Sequence, residues 1–176
     1  MSRIPLVRVE DMTPDQRKQY DRFPSNLTRG LLLTDQRLAT VLPGSANALR
    51  TSGLDPKLRE GVILRVAALS DSAFERMQHL GEAKKTGWTD EEIAAIEAGD
   101  TSGKLGVFTP VLAFVDECVA TARVSDLTFE KVEALLSGRE LATLIILIGH
   151  YMTVARFIDI LGIELDPEPS NWETEH

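Results

Sequence analysis

A single cysteine, Cys118, is the only thiol in this 176-residue chain. That scarcity excludes an intrachain disulfide framework and any CxxC redox or zinc motif. Positive charge is also short: 19 Lys and Arg stand against 27 Asp and Glu, a formal net charge of -8. An acidic surface repels phosphate backbones, and the basic groupings Arg3/Arg8 and Lys84/Lys85 are too small to make a binding patch. Nucleic acid is therefore not an expected partner. Long apolar runs are missing as well. The longest, Leu144–Gly149, falls far short of the roughly 20 residues of a membrane span. Met1–Glu10 has charges inside its short apolar stretch and no signal-peptide core. The reading is a cytoplasmic chain with no membrane partner. No window alternates as a strand would, and no Gly-rich phosphate loop, zinc spacing or nucleotide motif is present.

What is there suits one compact, all-α domain over residues 1–176. Hydrophobic residues make up 43% and charged residues 26%, the composition of an ordinary globular chain. Thr13-Pro14 opens a helix that stops before Pro24, and residues 24–34 read as loop. A helix over about 35–51 is expected to break or kink near Pro43-Gly44. Asp55-Pro56 opens the next, with Leu58, Val62, Ile63, Val66 and Leu69 at helical spacing. Ser70-Asp71-Ser72 signals an N-cap for a helix running to Gly87, and Thr89–Glu92 is a capping box for a short helix ending near Gly99. After a turn-rich stretch, helices follow at Thr109–Ala122, at about 128–136, and from the capping box Ser137–Glu140 to Gly162. Nearly every residue from Leu141 to Ile148 is apolar, so this segment is expected at the bundle centre or in a subunit interface. The acidic tail, 166–176, is read as extended.

The chemistry concentrates in one place. Ser72, Glu75 and His79 are spaced three and four residues apart and so share one helix face. Glu60, on the preceding helix, can face them across the short turn at Leu69–Asp71. A carboxylate beside an imidazole orients the ring and raises its basicity, the minimum equipment for general acid–base work. The bland alternative is a partly buried histidine and a solvated Glu75. His150-Tyr151 offers the same choice, a satisfied buried pair or a pocket wall. Lys84-Lys85 near the helix end at Gly87 is accounted for by the helix dipole, and Trp88 by packing of the turn.

Glu60-x11-Ser72-x2-Glu75-x3-His79 resembles the E-x11-C-x2-C-x3-H spacing of the alkylhydroperoxidase D branch of the carboxymuconolactone decarboxylase and alkylhydroperoxidase D superfamily. The flanks resemble it too: Leu58–Ala67 before the site, then His79–Gly87 and the Thr89–Ile96 helix. Arg3–Val7 and Gly149–Phe157 resemble the longer members. The resemblance is tightest over 56–97, with 1–34 as an N-terminal extension. It implies an alkylhydroperoxidase D-like helical bundle that assembles as a homo-oligomer, trimer or hexamer. It also implies a site built from Glu60, Ser72, Glu75 and His79.

The departure lies in the two cysteines of that branch, here Ser72 and Glu75. A serine hydroxyl cannot accept a peroxide oxygen and resolve to a disulfide. Cys118, within the apolar run Val111–Ala120, reads as a core thiol. The decarboxylase branch works without the cysteine pair and keeps the histidine. Its chemistry needs no cofactor if a dienolate is stabilised and protonated in place. Its substrates are anionic, which makes Arg76 and Arg65 the candidate binding residues, with His150 and Tyr151 as further wall. Three functions remain: an acid–base lyase or isomerase on a small carboxylated or lactone substrate, a peroxidase-related protein with weak or lost redox activity, or a non-catalytic oligomeric binding protein.

Overall fold

The computed structural model describes residues 2–170; the acidic residues Glu173 and Glu175 lie outside them. Among the described residues all regular structure is helical. The nine α-helices are α1 (Pro14–Arg22), α2 (Asn26–Leu31), α3 (Gln36–Arg50), α4 (Pro56–Leu69), α5 (Ala73–Lys85), α6 (Asp90–Ala98), α7 (Thr109–Thr121), α8 (Asp126–Glu133) and α9 (Gly138–Leu161).

Local chemistry sets most of the boundaries. Thr13, Thr89 and Ser137 each close a capping box with Gln16, Glu92 and Glu140, pairing backbone donors that the first turn leaves open. Asp55 caps α4 ahead of Pro56, whose missing N–H costs nothing at a first helical position. Gly99 and Gly162 stop α6 and α9 in the left-handed conformation.

Two expectations need correction. Residues 24–34 are not loop: Ser25 caps α2 by accepting from the Thr28 N–H. Nor does Pro43 break α3, which runs unbroken from Gln36 to Arg50 with Pro43 inside it.

α4 is the axis of the bundle and packs against α5, α6, α7 and α9. Its residues 60–67 are all buried, so no polar face exists, and the polar members Glu60 and Arg65 must find internal partners. Gly61 lets the Trp88 ring sit flat on α4: a Cβ there would come within 2.9 Å of it. The Trp88 indole N–H donates to the Lys57 carbonyl at 2.8 Å.

α9 packs against α3, α4, α5, α7 and α8. Its 24 residues and hydropathy of 1.7 would suit a bilayer by length and composition. Half of it is nonetheless buried against the other helices, as in the core helix of a globular fold. Within the all-apolar stretch Leu141, Leu144, Leu147 and Ile148 are core, whereas Ile145 and Ile146 are 46% and 60% exposed. The chain beyond α9 returns over α2, where Asp166 Oδ1 accepts from the Asn26 N–H at 2.9 Å.

Candidate active site

The α4–α5 turn fixes the geometry. Asp71 takes a left-handed conformation, φ 51°, which Asp tolerates better than most residues. The chain reverses there, bringing the buried face of α5 onto α4. Glu60 and His79 meet across that contact, with His79 Nδ1 2.8 Å from Glu60 Oε2. Glu60 Oε1 accepts from Arg59 Nε at 2.9 Å, and Arg59 Nη1 donates to the Arg50 carbonyl at 3.0 Å. On the other side of the ring, His79 Nε2 lies 3.6 Å from Glu75 Oε2. A relay Arg59–Glu60–His79–Glu75 thus runs through the interior; Glu60 is 2%, Glu75 3% and His79 6% exposed.

The two carboxyls are shifted in opposite directions. Burial pushes Glu60 up, but the His79 hydrogen bond and the adjacent Arg59 outweigh it and hold Glu60 below the usual carboxylate range. An ionised Glu60 can only accept, so Nδ1 of His79 carries the proton and Nε2, toward Glu75, is the basic nitrogen of the neutral ring. Glu75 has no such support. Burial, against the opposing attraction of His79, raises it to about 7. Two carboxyls pushed apart around one imidazole is the pattern of an acid–base site.

A cavity of about 110 Å3 opens on this relay. α5 contributes Phe74, Glu75, Gln78, His79 and Glu82, and α4 contributes Arg59 and Glu60. α9 adds His150, Tyr151 and Val154. The opposite wall comes from the N-terminal part of the chain: Arg22 at the end of α1 and Phe23 just after it, Leu27 and Leu31 of α2, and Leu42 to Arg50 along α3. The Tyr151 ring stands edge-on to His79 at 5.0 Å and to His150 at 4.9 Å. His150 Nδ1 lies 3.1 Å from the Ser45 hydroxyl, and burial lowers the ring to about 4, so His150 is neutral at physiological pH. Burial, with Glu75 and Glu60 nearby, raises the Tyr151 phenol well above its ordinary value.

Of the residues singled out from the sequence, Glu60, Glu75, His79, His150 and Tyr151 line the cavity. Ser72, Arg76 and Arg65 do not. Ser72 is the N-cap residue of α5, and its hydroxyl is buried without a partner away from the cavity lining. Arg76, one residue past Glu75, turns outward and pairs with Glu97 at 2.6 Å. Arg65 grips both Asp116 oxygens and the carbonyls of Ile96 and Glu97, tying α4 to α6 and α7. The basic residues at the cavity are instead Arg22, Arg50 and Arg59. Arg59 was hard to find because consecutive helix residues do not ordinarily share a face. Gln78 was within reach, three residues beyond Glu75 on the face already identified.

Cys118 sits on α7, packed against the main core cluster and absent from the cavity lining. Burial raises its thiol above the ordinary range, which disfavours the thiolate. Among the described residues, no three His, Cys, Asp or Glu side chains are grouped to hold a metal ion.

The architecture is an alkylhydroperoxidase D-like helical bundle with an internal Glu–His–Glu site. It matches, at a TM-score of 0.78 and 14% identity, the alkylhydroperoxidase AhpD core structure of an uncharacterised peroxidase-related protein from Ralstonia eutropha, over 94% of this chain and 93% of that one. A protein of unknown function from Agrobacterium tumefaciens, provisionally named as the antioxidant defence protein AhpD, matches at 0.68 and 21% identity. That match covers 73% of this chain and 90% of its own. The profile of the carboxymuconolactone decarboxylase family matches residues 37–104, which include Glu60, Glu75 and His79. No curated protein sequence matches the chain. Residues 37–104 thus resemble the carboxymuconolactone decarboxylase family, and the fold is shared with the alkylhydroperoxidase D-like structures.

Proposed function

We propose that this protein is an acid–base lyase or isomerase acting on a small carboxylated or lactone substrate without thiol peroxidase chemistry. The observation that carries the reading is the Glu60–His79–Glu75 relay opening on a cavity that no cysteine lines. Arg22, Arg50 and Arg59 line the cavity beside Glu60, Glu75 and Glu82, and burial raises Glu75 to about 7. Three guanidinium groups are gathered at one cavity in a chain whose net charge is -8. That favours an anionic ligand.

In the lyase form, the bond from carbon to the substrate carboxylate breaks and carbon dioxide leaves. The electron pair is held as an enolate conjugated with the substrate carbonyl. A proton from His79 or Glu75 then adds to that carbon. In the isomerase form, Nε2 of His79 takes a proton from a carbon beside the carbonyl and returns it elsewhere. Glu60 stabilises the imidazolium formed in between.

The peroxidase-related reading draws support from the name of the Ralstonia neighbour. It needs a reactive thiol at the site, and the only cysteine of the chain, partly buried against the main core cluster on α7, does not line the cavity. Two assays separate the readings. A panel of small carboxylates and lactones in D2O, followed by proton NMR, scores carbon dioxide loss and carbon–hydrogen exchange. Consumption of an alkyl hydroperoxide with a dithiol reductant scores the alternative. Exchange or decarboxylation without hydroperoxide turnover supports the proposal, and hydroperoxide turnover alone overturns it.

A further inference from the structure

Gln78 carries an unpaired donor beside the relay. It stands on α5 between Glu75 and Glu82, lines the cavity, and is 3% exposed. Its Oε1 accepts a 2.8 Å hydrogen bond from the backbone N–H of Ser170, in the segment that follows α9. A backbone N–H can only donate, so the amide must turn its oxygen to Ser170. The nitrogen, which can only donate, is then directed away from that bond, and Nε2 is buried with no partner. Buried amide nitrogens are nearly always paired, because an unmade bond leaves the full cost of desolvation uncompensated. The segment that orients the amide is itself anchored: Asn26 at the start of α2 donates to Asp166 Oδ1 at 2.9 Å and to the Glu164 carbonyl at 3.2 Å.

We infer that Gln78 is a substrate-binding residue whose Nε2 donates to a carboxylate or lactone-carbonyl oxygen, and that Ser170 is a positioning residue that fixes the amide in the donor orientation. The inference rests on the reading of this cavity as the substrate site. It narrows the substrate class further than the arginines do. An arginine attracts any anion, whereas a fixed amide N–H selects an acceptor oxygen. It also gives the C-terminal segment a role in specificity, since losing the Ser170 N–H would let the amide rotate and present either atom.

The test uses butyrate and γ-butyrolactone as probes of the full chain, with affinity read from NMR titration of the imidazole signals. Gln78→Glu keeps an oxygen for the Ser170 N–H and removes the donor. Gln78→Leu removes both without adding charge. Each is expected to weaken both probes at least tenfold. Loss of the neutral lactone shows that charge repulsion is not the cause. Ser170→Pro, which lacks the N–H, is expected to give a smaller loss for both probes. If Gln78→Leu does not fold, Gln78→Glu carries the test alone. Binding within twofold of wild type in the Gln78 variants, while Arg59→Gln loses butyrate, overturns the assignment of Gln78 and leaves the cavity reading intact. Failure of the wild-type chain to bind either probe overturns both.

Discussion

Glu60 and His79 are 19 residues apart in sequence and meet at 2.8 Å across the α4–α5 contact, where both are buried. The contact has a direction. Arg59, bonded to the other Glu60 oxygen, helps keep that carboxylate ionised, and the ionised carboxylate fixes the proton of His79 on Nδ1. The basic nitrogen is thereby assigned to the side where Glu75 stands. One short ion pair on α4 thereby sets which nitrogen of a buried ring faces Glu75 without a proton when the ring is neutral.

Glu60→Gln tests that assignment. The glutamine amide can donate to Nδ1 and drive the ring proton to Nε2. Turnover is expected to fall by on the order of 10²-fold with KM changed by less than about threefold. Imidazole nitrogen shifts are expected to report the inverted tautomer. Unchanged kcat with an unchanged tautomer would remove Glu60 from the relay.

The state of Glu75 sets a pH dependence of stability. Burial raises its carboxyl in the fold from the ordinary 4.5 to about 7, so between these values the folded chain binds more protons than the unfolded one. The neutral form's contribution is fully present below 4.5 and is lost as pH rises through about 7. The melting temperature is expected to fall between pH 5 and pH 8. Glu75→Gln, neutral throughout, is expected to flatten that fall, as differential scanning calorimetry would show. A decline of equal size in the variant would assign the effect to other groups.

Cys118→Ala is expected to leave acid–base turnover within a factor of about two of wild type. The lost packing in α7 costs roughly 1 kcal/mol, read from denaturant unfolding. Abolished turnover in a folded variant would make the thiol functional.

The exposed side of α9 bears on assembly. Ile145 and Ile146 lie on an outer face flanked by Ala142 and Gly149, all accessible in the single chain. Small and apolar residues at helical spacing make a surface onto which another helix can close. A homo-oligomer, trimer or larger, is expected by light scattering at micromolar concentration, with Ile146→Glu lowering the mass. A monomeric wild-type chain would contradict it.

Helix positions were legible wherever local chemistry sets them. Thr89 and Ser137 with their partner glutamates, Pro56, Gly99 and Gly162 all act within a few residues of themselves. α2 was not legible, because six residues around Gly30 give no helical period, and its packing depends on Phe157 and Ile163 far along the chain. Within the site, Glu75 and His79 followed from spacing on one helix. Arg22 and Arg50 did not, since they stand on α1 and α3, far along the chain from α5, and only the fold brings them to the same cavity. The outward turn of Arg76 onto Glu97 was equally hidden, being set by α6.

The central claim is that His79 moves the proton. The most direct measurement compares wild type with His79→Ala for carbon dioxide release, or for deuterium incorporation from D2O, on the most reactive member of the carboxylate and lactone panel. The rate is expected to fall by roughly two to four powers of ten. The helical circular dichroism spectrum is expected to be unchanged and the melting temperature to stay within a few degrees of wild type. A variant that folds and retains a rate within about threefold of wild type would contradict it.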